Sequence, residues 1–150
     1  MGSLRDLASK MRQASKNFQQ NKDRLLIRAA VVTANTIIDM TPVDTGRAAS
    51  NWVLSFGGPY SGMLEPYFPG YRGTTAEENR EAAKNLLAKN AKGFQDGLVI
   101  YITNNVPYIK DLEDGTSRQA PYGMVDFGFL AADKFLSNIK ILSYNGVPSI

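Results

Sequence analysis

The sequence predicts an α+β domain in which a long N-terminal helix and a C-terminal helix pack on a small, mainly antiparallel sheet, with an extra surface helix. Three observations carry this. Residues 4–40 contain neither proline nor glycine, two short segments rich in β-formers lie at 51–56 and 98–103, and helical apolar spacing recurs at 76–91 and 123–141. At 150 residues the chain reads as a single domain spanning 1–150, long enough to bury roughly 70% of the surface its unfolded form exposes.

Leu4, Leu7, Met11, Ala14 and Phe18 recur in steps of three and four and trace one stripe of a helix, with Gln13, Lys16, Asn17, Gln19 and Gln20 on its other faces. The stripe continues at Leu25 and Val32, but residues 25–38 become apolar nearly all round, the pattern of a helix buried on every side. Pro42 biases Thr41 away from helical angles and ends the run. One helix over residues 3–40 is therefore expected, amphipathic and projecting over 1–24 and buried beyond. At about 1.5 Å per residue it measures some 55 Å, more than a domain of this size can cover. Its first half needs a partner or must fold back.

A turn over residues 41–47 leads to a strand at 51–56, whose Trp52, Leu54 and Phe56 alternate on one face. Residues 58–75 hold three prolines, four glycines and three tyrosines, a long loop of the kind usually kept for function. Thr75 and Glu78 have capping-box spacing, and residues 76–91 read as a surface helix with a narrow stripe of Ala82, Ala83, Leu86, Leu87 and Ala91, closed by Gly93. Residues 98–103 are apolar on both faces and read as a central strand, stopped by Asn104 and Asn105. A helical turn over 108–112 and a loop over 113–121 precede the last helix, 123–141. Its stripe is Met124, Phe127, Leu130, Ala131, Phe135, Ile139 and Leu142, with residues 143–150 a turn or frayed end.

With no cysteine and no histidine, disulfides, thiol nucleophiles, His-dependent triads, haem held by His and the usual nitrogen and sulfur zinc sites are excluded. Acidic groups remain at Asp111, Glu113 and Asp114, and at Glu77, Glu78 and Glu81. The first set sits beside a turn and the second in an opening helical turn, where negative charge complements the helix dipole. Ser117 and Arg118, near Lys110, have no general base beside them. Gly57-Gly58 precedes a proline loop rather than a helix, so no phosphate-binding glycine pattern is present. No apolar run approaches the roughly 20 residues that cross a bilayer, and the polar N-terminus has no signal-peptide core. No catalytic, cofactor-binding or metal site is expected, and no membrane contact.

Charge is uneven. Residues 1–28 carry seven basic side chains (Arg5, Lys10, Arg12, Lys16, Lys22, Arg24, Arg28) against Asp6 and Asp23, a local net of +5. The remaining 122 residues carry ten basic and twelve acidic groups, a net of −2, so the N-terminus accounts for the whole +3. Such asymmetry points to nucleic acid or an acidic protein surface, or is simply a solvated helix face. In the loop, Tyr60, Tyr67, Phe68, Tyr71 and Arg72 could stack on bases, pack against another protein, or fold down over the sheet.

Thr41-Pro42-Val43-Asp44-Thr45-Gly46-Arg47, followed by Ser50-Asn51-Trp52, resembles the helix-to-strand junction of the tail-component family of tailed bacteriophages, small proteins that complete the neck or tail end of the virion. A second block is similar to that family in order and spacing: residues 101–108 with Asn104, Asn105, Pro107 and Tyr108, then Leu112-Glu113, Gly115-Thr116-Ser117, Gln119-Ala120-Pro121 and Gly123-Met124-Val125. With the flanking helices the resemblance covers most of the chain and is weakest over 58–95. The residues also make physical sense alone: Asp44 can cap a turn, Gly46 can take positive φ, and Gly115 and Gly123 bracket a loop that reverses direction.

The resemblance implies a structural virion protein with no catalysis. It implies head-to-tail joining as a homo-oligomeric ring in the neck or at tail completion, between portal or adaptor proteins and the tail-tube or tail-terminator proteins. Synthesis in the host cytoplasm precedes incorporation into the virion. Leu4, Leu7, Met11 and Phe18 would then face a neighbouring subunit or adaptor, and Tyr60, Tyr67, Phe68, Tyr71 and Arg72 the next protein along the axis. Arg5, Lys10, Arg12 and Lys16 would face either a subunit or DNA translocating through the channel. The rival expectation is a nucleic-acid-binding protein that uses the basic helix.

Overall fold

The computed structural model describes residues 3–118 and 123–138. Its first helix, α1 (Leu4–Met40), starts at Ser3. The Ser3 backbone N–H donates to the Asp6 carboxylate at 2.7 Å and the Asp6 N–H donates to Ser3 Oγ at 3.3 Å. That reciprocal box satisfies two of the helix's free backbone donors. At the other end Thr41 is extended (φ −69°, ψ 124°), as a residue before proline must be.

Thr41 is also where the fold is tied together. Its fully buried hydroxyl donates to Ile37 O at 2.6 Å, accepts the Trp52 indole N–H at 2.8 Å and lies 3.2 Å from Met124 Sδ. Its carbonyl accepts from Arg80 Nη2 at 3.1 Å. Four segments distant in sequence thus meet at the end of α1.

Past this node run α2 (Arg47–Ser50), β1 (Val53–Phe56), α3 (Ala76–Ala91), β2 (Ile100–Thr103), α4 (Ile109–Glu113) and α5 (Met124–Asn138). β1 and β2 pair antiparallel, Val53 opposite Thr103 and Phe56 opposite Ile100. The second half of α1 lies between α5 on one flank and α3 with β2 on another. Ala34, Ile37, Ile38, Trp52, Leu54, Ala83, Leu87 and Met124 form the core. The α+β class holds, with the long N-terminal helix and a small antiparallel sheet.

Several expectations are corrected. Residues 25–38 are not covered on every side: Ala29, Thr33, Ala34, Ile37 and Ile38 are buried while Leu26 is exposed. α3 lies at the surface as expected, burying the narrow stripe of Asn79, Ala83 and Leu87 while Glu77, Glu78, Glu81, Asn85 and Lys89 stay exposed. The Thr75–Glu78 capping box does not form. Thr75 Oγ1 instead donates to Phe68 O at 2.8 Å, holding the preceding loop rather than the helix start. β2 is no central strand, since the sheet among the described residues has two strands, and Leu98 and Val99 stay exposed before it. Asn51 and Trp52 precede β1 instead of belonging to it.

On α5, Leu130 is 64% exposed and points away from α1. Gly128 takes the contact position, where an added Cβ would lie 2.6 Å from the Ile37 side chain and 3.1 Å from Thr33 O. The missing side chain lets the two helices approach closely. The first half of α1 does not fold back. Gln119, Pro121, Ile139, Leu142 and the tail 143–150 lie outside the described residues. No helix among the described residues is long and apolar enough to cross a membrane.

Candidate functional site

Residues 4–22 of α1 are exposed except for a half-buried Ala8. The stripe on this arm is open to solvent at Leu4 (85%), Leu7 (55%), Met11 (65%) and Phe18 (70%). An exposed leucine alone needs no explanation, but four large apolar groups aligned on one helix face form a patch that does. Arg5, Lys10, Arg12 and Lys16 are exposed on the same arm. Arg12 and Lys16 border a shallow groove whose far wall carries Asp96 from the loop after α3. Four residues along from Gln19, Asp23 is buried on α1, with Gln19 Nε2 at 3.5 Å.

The loop over residues 58–75 has little regular structure yet is firmly tied. Asn79, buried in the first turns of α3, is the main anchor: its Oδ1 accepts from Ser50 Oγ at 2.9 Å and Phe68 N at 3.0 Å. Its Nδ2 donates to Phe68 O at 2.7 Å and Thr75 O at 2.8 Å. Asn51 adds a reciprocal pair with Leu64, and Asn105 Nδ2 donates to Tyr60 O and Gly62 O at 2.8 and 2.7 Å. Asp44 Oδ1 accepts from Arg72 N at 2.7 Å, so this carboxylate holds the loop rather than its own turn.

Within the loop Tyr67 packs against the core and Tyr60 is half-buried. Burial first, and Tyr60 second, pushes the Tyr67 phenol above its usual range. Phe68, Tyr71 and Arg72 are exposed, and the Arg72 guanidinium sits 5.0 Å from the centre of the Tyr71 ring. Arg72 itself is held at φ 51°, a conformation uncommon for a residue with a side chain.

The two blocks of the sequence resemblance meet in space. Pro42, Asp44, Gly46 and Arg47 from the first block, with Tyr108, Leu112 and Ser117 from the second, line a cavity of about 350 Å³. Gly46 takes φ 91°, and an added Cβ would collide with the Asn79 amide. Asn104 Nδ2 donates to Ala48 O at 2.8 Å and its Oδ1 accepts from Val106 N at 3.1 Å, which binds the blocks to each other. Pro107 is exposed beside Tyr108. Burial raises the Tyr108 phenol above its usual range; Arg47 pulls it back and Asp44 adds to the rise.

Arg47 forms an ion pair with Glu65 at 2.8 Å. Glu113 reaches the start of α5, where its Oε2 accepts from Val125 N at 3.0 Å, and a Cβ on Gly123 would lie 2.5 Å from its Oε1. Gly115 takes φ 82° in the turn between. Among the described residues no three acidic groups converge to hold a metal ion.

The sequence reading passed over Asn79 and the outward face of α5. Asn79 had a signal: it sits on the stripe of Ala83 and Leu87, a polar residue at a core position. The outward face of α5 exposes Phe129, Leu130 and Leu136. Comparison with known proteins found no matching family model, no matching curated protein and no matching solved structure.

Proposed function

We propose that the chain is a structural virion protein of a tailed bacteriophage, joining head to tail as a ring component of the neck or tail-completion layer. The supporting observation is the bare arm: α1 leaves the core as a continuous helix and presents Leu4, Leu7, Met11 and Phe18 to solvent. A monomer gains nothing from that apolar stripe, whereas an assembly does, because burying each such side chain is worth about 1.5–3 kcal/mol before the cost of association. The tied loop carries Phe68, Tyr71 and Arg72 at its surface for a contact along the ring axis. In this reading the cavity between the two blocks belongs to the fold, and no cofactor or catalytic step takes part.

Deleting the gene from the phage that encodes the chain tests this reading. DNA-filled heads and free tails that fail to join are expected by electron microscopy; intact infectious virions lacking the chain would overturn it.

The exposed Arg5, Lys10, Arg12 and Lys16 favour a second reading, nucleic-acid binding through phosphate contacts. Filter binding to duplex DNA at two salt concentrations separates the cases. Affinity falling steeply with salt supports the second reading, and absent or salt-insensitive binding removes it. In a neck ring the same residues could line the DNA channel.

A further inference from the structure

Two exposed apolar faces in this chain are complementary, and neither can reach the other within one molecule. On the arm, Leu4, Met11 and Phe18 are spaced seven residues apart, the repeat of a helix that packs lengthwise on another helix. Basic Lys10 and Arg12 flank Met11. On α5 the line of Met124, Gly128 and Phe135 faces α1, through Thr41, Ile37 and Arg28 respectively. The opposite side therefore presents Phe129 and Leu136, also seven apart, together with Leu130, Asp126 and Asp133. Both carboxylates are exposed, and among the described residues neither forms an ion pair.

We propose that the arm of one copy docks on the outward face of α5 of the next copy, apolar on apolar and Lys/Arg against Asp126 and Asp133. This rests on the reading of the chain as a ring component and names the contact that would close the ring.

Three points favour this occupant. Residues 4–40 run as one helix with no proline or glycine at which to bend, and α5 turns its outward face away from α1, so the arm cannot reach that face in its own chain. Arm against arm would bring together two segments that each carry, over residues 4–22, five basic groups and one acidic group, which repel. Arm against α5 is heterologous, so each copy offers one donor and one acceptor, the arrangement that closes rings. A single helix-on-helix contact of this length lies at the small end for a stable pair. Closure lets every copy make it twice.

Charge reversal tests the contact on the full-length chain. Asp126→Lys with Asp133→Lys gives a basic face beside a basic arm; Lys10→Glu with Arg12→Glu leaves the arm neutral overall but sets two carboxylates around Met11, against the acidic face. Light scattering coupled to size exclusion should show the parent chain as a closed oligomer and each reversed variant as a monomer. An equimolar mixture of the two variants should recover the oligomer mass. Far-UV circular dichroism with the parent's helical signature and a cooperative melt would establish that each variant is folded, the midpoint falling as the assembly is lost.

A parent chain that stays monomeric at high concentration would overturn the proposal, whether residues 139–150 or nothing covers the arm. So would reversed variants that assemble like the parent, or a mixture that stays monomeric. None of these results touches the head-to-tail reading, which stands or falls on the gene-deletion phenotype.

Discussion

One helix in this protein leads two lives. From Ala29 to Met40, α1 is packed between α5 and α3 and buries Ala34, Ile37 and Ile38; from Leu4 to Lys22 it has the same backbone and a sparser stripe of large apolar groups, and almost all of it is open to water. Since both halves are continuous and regular, helix formation does not distinguish them. What differs is the neighbour. The buried half is held by tertiary packing, and the bare half by a capping box, continuity with the core and local pairs such as Gln13 to Asn17 at 2.9 Å. Isolated helices of about this length are marginal in water. The arm is therefore the part of the molecule with most to gain from a partner.

Substitutions sharpen that contrast. Ile38→Ala should cost about 2–5 kcal/mol in urea unfolding of the isolated chain, whereas Phe18→Ala should fall within about 0.5 kcal/mol. Equal losses at the two sites would mean that something covers the arm within one chain. Gly128→Ala, which drives a methyl group into Ile37, should cost about 1–3 kcal/mol, again by urea unfolding. An alanine substitution in the arm, Ser15→Ala, should change nothing measurable beyond a slight gain in helicity.

Asn79→Ala should cost a similar or slightly smaller amount, about 1–3 kcal/mol, because it strips partners from Ser50, Phe68 and Thr75. It should also make residues 60–75 sensitive to limited proteolysis while leaving the arm's cleavage rate unchanged. Smallest is the effect of pH on the arm's first turn. The Ser3 backbone N–H, helped by the Ser3 hydroxyl, holds the Asp6 carboxyl below its usual range. A depressed folded-state pKa stabilises above the unfolded value and loses that contribution as pH falls through the folded one. Exchange of the amide hydrogens in the first turn should therefore gain relative speed in acid, after correction for intrinsic rates. Asp6→Asn should abolish that dependence.

Much of this fold was legible because punctuation residues are local. Ser3 and Pro42 bound α1 to within a residue, and Asn104 with Asn105 stop β2 as the spacing predicted. What was hidden depends on contacts between distant segments. The α2 turn forms from Arg47-Ala48-Ala49-Ser50, which no window of periodicity can register, and it is buried under α3 and the loop. Thr75 has the right spacing for a cap, but the Phe68 carbonyl competes for its hydroxyl. Leu130 matches the α5 stripe by spacing, but Gly128 lets α1 come close on a different line and turns Leu130 outward.

At the candidate interface the same divide holds. Leu4, Leu7, Met11 and Phe18 were readable because a stripe longer than any core must extend past it. Tyr67 could not be told from Phe68 and Tyr71 by composition, since only the Asn79 anchor decides which ring faces in.

The Thr41 node has a mechanical consequence. Residues 4–28 form a lever about 37 Å long at 1.5 Å per residue, carried by the packed stretch 29–40 that ends where Trp52, Arg80 and Met124 converge. A tilt of about 5° in that packed stretch swings the Leu4 tip by roughly 3 Å, about half a turn of helix. The angle at which the tip leaves the body is thus set by side chains far from the tip. In a closed assembly of such levers, a single methyl group repacked around Thr41 would change the stagger between neighbouring copies, and with it the number of copies that complete a circle.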